Sequence, residues 1–432
     1  MNSIIEQLIA DFQETQLPEL IRRNVEIPWL DNKIDTVIGM RRSGKTWFLY
    51  QVMADLLAKG YPVESILYLN FEDERLLPMV VTDLHLITDN YYRRYPLMRD
   101  HKCFFFFDEI HNIHGWEKYV RRLFDSENVH ICLTGSSAKM LSLEIATSLR
   151  GRSISTEIFP FSFSEYLRYH QISSDIKRRP GKKRRAILEN KLQNYLLEGG
   201  FPEIQNVKKE HRVRILQEYL NVVILKDLVE RHQISNTTPL RYLSRHLFNS
   251  TSCLFSINKF FNSLKSQGIT CSKNALHSYL AYFSDVYLFF PVSIFTNSER
   301  QRMVNPKKVY TVDTGMIQAC SRNFYPDWRL LLENFVFTEL RRTGLQINYY
   351  KTKKGHEVDF ITTDIYGNLK LFQVSIDLRD PDTRKREIRS LVEAMKELDL
   401  KESYIITHNQ EEHIQEESGE IYVLPAWYWA LR

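Results

Sequence analysis

Residues 34–51 read IDTVIGMRRSGKTWFLYQ, and no other stretch restricts the fold as tightly. A short β-rich run, Thr36-Val37-Ile38, meets Gly39-Met40-Arg41-Arg42-Ser43-Gly44-Lys45-Thr46, which fits G-x-x-x-x-G-K-[ST]. Beyond Trp47, apolar residues recur at helical spacing (Phe48, Leu49, Val52, Met53, Leu56, Leu57) until Gly60 stops the run. Strand, glycine loop and helix in that order make a cradle for phosphate. Glycines let successive N–H groups converge on phosphate oxygens, and the helix N-terminus adds its unpaired N–H groups and dipole. This pattern places ATP on Gly39, Arg42, Ser43, Gly44, Lys45, Thr46 and Trp47. Lys45 supplies a point charge for the β- and γ-phosphates, and the Thr46 hydroxyl is a ligand for Mg²⁺.

A chain organised on such a loop needs acids beside it. Cys103-Phe104-Phe105-Phe106-Phe107 is apolar on both faces, as a central parallel strand covered by helices must be, and it ends in Asp108-Glu109. Asp108 is expected to hold Mg²⁺ through water or Thr46, and Glu109 to orient and polarise the attacking water. Residues 65–71 read as another strand, and 129–133 as a third buried one ending in Thr134-Gly135-Ser136. Thr134 and Ser136 are candidate sensors of the γ-phosphate, and equally readable as turn residues. Arg150 and Arg152, in Ser148-Leu149-Arg150-Gly151-Arg152, are candidates to neutralise transition-state charge, in cis or from a neighbouring subunit. A solvated helix end is the alternative. Arg22 and Arg23 read first as a solvated pair and second as neighbours of the nucleotide.

At 432 residues the chain has room for two to four domains, each with its own core. Its 43% apolar and 26% charged content is ordinary for a globular protein, and a net charge of +5 does not by itself mark a nucleic-acid binder. Five cysteines without C-x-x-C spacing indicate neither a disulfide framework nor a zinc site, and fit a reducing compartment. No run approaches eighteen apolar residues and the N-terminus lacks a signal-peptide core. The expectation is a cytoplasmic protein with no membrane partner.

The pieces GMRRSGKT, YLNFEDER, FFFFDEIHNIHGWEKYVRRLFD, LTGSSAKML, LRGRSISTEIFPFSFSEYL and YLLEGGFPE occur in this order. Together they resemble a family of bacterial and archaeal AAA-type P-loop ATPases whose C-terminal domain is similar to PD-(D/E)xK nucleases. The likeness runs from about residue 20 to about residue 410, with its specific motifs in the first half. In the second half, Gly199-Gly200-Phe201-Pro202 resembles the lid motif of signalling P-loop ATPases, which implies that Pro202 packs near the adenine. As a bare string it is a helix-ending turn.

Residues 177–185 carry seven basic side chains around Pro180-Gly181, readable as a solvated loop or as phosphate contacts. A helix over 258–265, a second capped by Ser272 and running to 284, and apolar strands at 287–295 and 309–312 suggest a winged helix. Its second helix carries Lys273, Asn274, His277 and Ser278. The last domain predicts the order α-β-β-β-α-β, which resembles the PD-(D/E)xK core. Its site is degenerate: Glu333 and Asp359 remain as metal ligands, with Glu357 to assist. Gln373 and Ser375 stand where active members have Glu and Lys, and Lys370 is the nearest substitute cation in sequence.

The expected fold is thus α/β: a P-loop NTPase core with a parallel five-stranded sheet, a helical lid, a winged helix and a C-terminal α/β nuclease-like domain. The expected divisions are an N-terminal helix at 1–25, the core at 26–165, the lid at 166–235, the winged helix at 236–318 and the last domain at 319–432. The implied activity is Mg²⁺-dependent ATP hydrolysis by a homo-oligomer acting on DNA or a protein partner. A slow ATP-dependent assembly switch and, further off, an ATP-driven nuclease are the alternatives.

Overall fold

The computed structural model describes residues 1–135, 151–176, 179–322 and 325–432. Ser136, Arg150, Lys177 and Arg178, singled out above, lie outside the described residues. The chain divides into two compact units, Met1–Phe159 and Pro160–Arg432.

In the first unit, α1 (Asn2–Glu14) precedes β1 (Ile34–Ile38), α2 (Lys45–Ala58), β2 (Ile66–Asn70), α3 (His85–Arg94), β3 (Cys103–Asp108), α4 (Glu117–Ser126), β4 (Val129–Gly135) and β5 (Ser153–Glu157). The five strands form one sheet in the order β2-β3-β4-β1-β5. Every pairing is parallel. The five-stranded parallel core expected from the sequence is therefore present. The all-apolar character of β3 has its reason here, since β3 is interior and all six of its residues are buried. Phe48, Leu49, Val52, Met53 and Leu56 of α2 pack on Val37, Phe104, Phe106 and Cys132. Burying each such side chain contributes about 1.5–3 kcal/mol. Because the strands are parallel, the loop after β1, the acids after β3 and Thr134 near the end of β4 emerge at one edge, on three adjacent strands.

One residue in β1 works against this core. Asp35 is fully buried and neither carboxylate oxygen has a hydrogen-bond partner among the described residues. Burial pushes its carboxyl up from the ordinary value to about 7. Between pH about 4 and about 7 the folded chain keeps a proton that the unfolded chain releases, so stability falls as pH rises through that window. The full loss is roughly 4 kcal/mol above it. Asp35→Asn should remove this slope: thermal melting at pH 8 should rise by a few degrees, with little change near pH 4. An unchanged slope between pH 4 and 7 in the variant would assign the dependence to another group.

The second unit holds two sheets. In the first, β6 (Leu254–Phe255), β7 (Phe289–Val292) and β8 (Lys307–Thr311) pair antiparallel in the order β6-β8-β7. Helices Ile257–Ser266 and Lys273–Asp285 lie between β6 and β7 in the chain, and Ser256 and Ser272 accept from the N–H groups of Lys259 and Ala275 as N-caps. After helix Trp328–Arg342 come β9 (Gln346–Lys351), β10 (Glu357–Thr363), β11 (Leu369–Val374), helix Pro381–Leu398 and β12 (Glu402–Thr407), in the expected α-β-β-β-α-β order. A hairpin of β13 (Glu412–Glu416) and β14 (Gly419–Pro425), absent from the sequence reading, completes the order β13-β14-β12-β11-β10-β9.

The Gly199-Gly200 pair has a packing reason. The Gly200 N–H donates to Asp313 Oδ2 at 2.6 Å. A Cβ at Gly199 (φ 82°) would stand 2.0 Å from Asp313 Oδ1, and one at Gly200 would stand 2.3 Å from the Phe161 carbonyl oxygen. Asp313 also caps helix Thr314–Cys320 by accepting from the Gly315 N–H at 2.9 Å. Pro202 opens the short turn Pro202–Ile204 beyond the pair.

Candidate functional site

Gly39 leaves β1 with φ 152°, where a Cβ would sit 2.2 Å from the Ile158 carbonyl oxygen. Arg42 (φ 67°) and Gly44 (φ 97°) take left-handed conformations, and Gly44 caps α2. The loop therefore curls back over the helix N-terminus, as a phosphate cradle requires. Lys45, almost wholly buried, lies inside the curl with its Nζ 3.2 Å from the Gly39 carbonyl and 3.4 Å from that of Met40. Its nearest carboxylate is Glu109 Oε1 at 3.8 Å.

The acids sit where the sheet order puts them. The Thr46 hydroxyl donates to Asp108 Oδ2 at 2.7 Å, the Tyr68 hydroxyl donates to the same oxygen at 3.0 Å, and the Thr134 hydroxyl donates to Oδ1. The Glu109 N–H donates to Thr134 Oγ1 at 2.8 Å. Thr134 thus spends its one proton on Asp108 and accepts from the Glu109 N–H, tying the two acids together. Glu109 itself is left-handed (φ 55°), a strain of about 1–3 kcal/mol for a residue with a Cβ, of the sort that collects at functional sites. Burial raises its carboxyl above the ordinary range; the Lys45 charge opposes that rise and Asp108 adds to it. His111 Nδ1 lies 3.2 Å from its Oε2.

The residues fit a phosphate and Mg²⁺: the loop curls over the N-terminus of α2, and a hydroxyl and a carboxylate suited to a hard cation meet at Thr46 and Asp108. Ser43 Oγ is buried with no hydrogen-bond partner among the described residues. Trp47 is exposed, on a face of α2 beside Tyr50, with ring centroids 6.2 Å apart.

Two arginine readings need correction. Arg23 is buried, not solvated: its guanidinium donates to the Ser43 carbonyl at 2.9 Å and to the Phe159 carbonyl. Its backbone is clasped by Gln51, with Oε1 accepting the N–H at 2.6 Å and Nε2 donating to the carbonyl at 3.2 Å. It braces the phosphate loop from behind, while Arg22 pairs with Asp55 at the surface. Arg152 is not at this site. Its carbonyl accepts from the Ile34 N–H at 2.7 Å, at the opposite edge of the sheet, and its side chain pairs with Asp125 and lies over Phe124. The length of β1, ~15 Å, separates it from the phosphate loop.

The second unit brings its candidate acids together around a residue that the sequence reading missed. Lys308 Nζ lies 2.7 Å from Asp359 Oδ1, 2.9 Å from Glu357 Oε1 and 3.1 Å from Glu333 Oε1. Burial pushes Glu333 up to about 7, with the Asp359 charge adding and Lys308 opposing. Gln373 Oε1 accepts the Asp359 N–H at 3.2 Å while its Nε2 donates to Glu387 Oε2 at 2.7 Å, a double role no ionised glutamate could fill. Ser375 Oγ donates to the Asp377 carbonyl, and Lys370 is exposed near the start of β11, remote from the acids. These acids border a cavity of about 660 Å³ that Arg329, Arg386 and Arg389 also line.

Residues 31–167 match the model of the AAA domain, 189–327 that of a domain of unknown function (DUF8612), and 330–429 that of another (DUF4143). Among solved structures, the ORC2 protein of Aeropyrum pernix in its ADP form is 14% identical at a TM-score of 0.31, over 63% of this chain and 90% of that one. The ORC1 protein of the same organism in complex with DNA is 12% identical at 0.27, over 73% and 91%. An uncharacterised protein of Haemophilus influenzae is 29% identical over 76% of this chain and 79% of its own length. An uncharacterised protein of Methanocaldococcus jannaschii is 38% identical over 99% of this chain and 95% of its own. With that archaeal protein the chain belongs to one family, and its AAA domain is that of a P-loop ATPase.

Proposed function

We propose that the chain is a Mg²⁺-dependent ATPase whose turnover moves the parts beyond its AAA core, a lid at 166–235, a winged helix at 236–318 and a nuclease-like domain at 319–432, on DNA. One observation carries the enzymatic part: Lys45, Thr46, Asp108 and Glu109 stand together at one sheet edge with Glu109 buried beside Lys45. Positioning and charge stabilisation do most of the work in phosphoryl transfer. Lys45 and the loop amides grip phosphate oxygens, Thr46 and Asp108 hold the cation, and Glu109, held by Thr134 at its N–H, takes the proton of the attacking water. Bound there, Mg²⁺ would supply charge neutralisation.

The topology of β6–β8 and the two capped helices supports the winged-helix reading, with Lys273, Asn274 and His277 exposed on the second helix. The α-β-β-β-α-β order supports the nuclease-like one. Steady-state ATP turnover with and without duplex DNA tests the proposal. Stimulation by DNA supports it, whereas a slow rate indifferent to DNA favours the assembly switch or a protein client.

The C-terminal domain should not cut DNA. Losing the third-strand acid and lysine removes a metal ligand and an electrostatic contribution of several kcal/mol to the transition state. Plasmid should stay supercoiled with Mg²⁺ or Mn²⁺, with or without ATP. Metal-dependent nicking abolished by Asp359→Ala would promote the nuclease alternative.

A further inference from the structure

The acid cluster of the second unit contains a cation supplied by the chain. Lys308 comes from β8, in the three-stranded sheet, while Glu333 comes from helix Trp328–Arg342 and Glu357 and Asp359 from β10. An ammonium has three N–H donors and no acceptor. Here three carboxylates stand within 2.7 to 3.1 Å of Nζ, which donates to Asp359 and Glu333 and forms an ion pair with Glu357. The side chain is 4% exposed, and lysine is almost never that buried unless paired. The three carboxylates offset the cost of burying that charge. Tyr310, two residues along the same strand, donates to Glu333 Oε1 at 2.9 Å, the same oxygen that Lys308 meets. The acids are arranged around Lys308, and a hydroxyl from the same strand orients one of them.

We infer that Lys308 is the resident cation of this acid cluster, standing where a divalent metal would otherwise gather Glu333, Glu357 and Asp359, and that it keeps Mg²⁺ and Mn²⁺ out. This deepens the reading that the domain does not cut DNA, because it gives the surviving acids an occupant. Two physical points support exclusion. A tethered ammonium competes at a high effective concentration, so a free ion must displace a group that cannot diffuse away. A displaced Lys308 would also be a buried charge without partners, whereas the ion would have to shed waters that Mg²⁺ releases reluctantly. The oxygen cage is also wide: Mg²⁺ demands ligands at about 2.0–2.1 Å, and three acids from two elements would have to close in around it. The ammonium additionally fastens β8 to the helix and strand that carry the acids.

The test is Mn²⁺ binding by the nucleotide-free full chain, followed by electron paramagnetic resonance. Wild type should show no Mn²⁺ site that depends on Asp359. Lys308→Met, close in length and uncharged, should gain one site per chain at least tenfold tighter than any residual binding, lost again in Lys308→Met/Asp359→Asn. A folded Lys308→Met that gains no site overturns the proposal. A second arm needs no variant to fold: acylation of wild type read by mass spectrometry. Lys308 should stay unlabelled with or without millimolar Mn²⁺ while its half-buried neighbour Lys307 reacts. Labelling of Lys308 that rises with Mn²⁺ would mean that the metal displaces it, which overturns the proposal. The outcomes also separate the two readings. Asp359-dependent Mn²⁺ binding by wild type without DNA cleavage sinks the resident cation alone. Mn²⁺-dependent cleavage that Lys308→Met abolishes makes Lys308 a catalytic lysine and sinks both.

Discussion

Glu109→Gln should bind ATP with wild-type affinity and hydrolyse it some 10²–10⁴-fold more slowly. The amide keeps the shape and burial of the carboxylate but cannot accept a proton from water. The surroundings make the loss specific. The backbone of Glu109 is fixed by the bond from its N–H to Thr134, so the side chain has no freedom to be replaced by a neighbour. Asp108 cannot stand in, because three hydroxyls already donate to it. Lys45→Ala should instead lose nucleotide altogether, since the ammonium inside the loop goes with it. The two variants therefore separate binding from chemistry in one filter-binding and phosphate-release experiment. Glu109 must be ionised to act, and burial raises its carboxyl, so the acid limb of the wild-type rate profile should lie above the ordinary glutamate range. Normal turnover by Glu109→Gln, or an acid limb at the ordinary position, would remove this residue from the mechanism.

Local pattern carried the first unit a long way, because its chemistry is built from consecutive residues at strand ends. The loop from Gly39 to Thr46 and the pair Asp108-Glu109 are contiguous, and parallel pairing of β3, β4 and β1 suffices to bring them together. What stayed hidden depends on contacts between residues far apart in sequence. Arg23 looked like half of a solvated pair, since nothing in its neighbours announces that its guanidinium reaches the carbonyls of Ser43 and Phe159. Lys308 stands 51 residues before Asp359 on a strand of another sheet, and the search for a substitute cation went to Lys370 only because that lysine is near in sequence. Gln373 was legible as a departure from Glu, but its purpose was not: the partner that needs a donor, Glu387, lies on the following helix. The hairpin of β13 and β14 was missed for a local reason. Its first strand, Glu412-His413-Ile414-Gln415-Glu416, is polar and largely exposed, so it shows little of the apolar alternation that marks a half-buried strand.

Arg152→Ala should cut turnover by about 10³–10⁵-fold, as removal of an arginine finger does, and restoration should come only from another subunit. The position of Arg152 is the reason for that second clause. Arg152 leaves its backbone at the N-terminal edge of the sheet beside Ile34, whereas the phosphate loop begins after Ile38, ~15 Å along a rigid strand. An arginine side chain does not span that distance. A neighbour presenting the same edge can deliver it, and little holds it back. The pair with Asp125 is some two-fifths exposed on both sides, and exposed pairs are worth about 0–1 kcal/mol. Giving up that bond for a charge-assisted one to a developing phosphate charge is favourable. In this arrangement wild-type activity per subunit rises with protein concentration, while Arg152→Ala keeps its ATP affinity. Mixing Arg152→Ala with Lys45→Ala then recovers part of the activity, because the first retains an intact nucleotide site and the second an intact arginine. Arg150→Ala belongs in the same series as the other candidate. If mixed oligomers form and neither arginine variant is complemented, or if both turn over ATP like wild type, the edge beside Ile34 plays no part in catalysis and Arg152 is only the surface partner of Asp125.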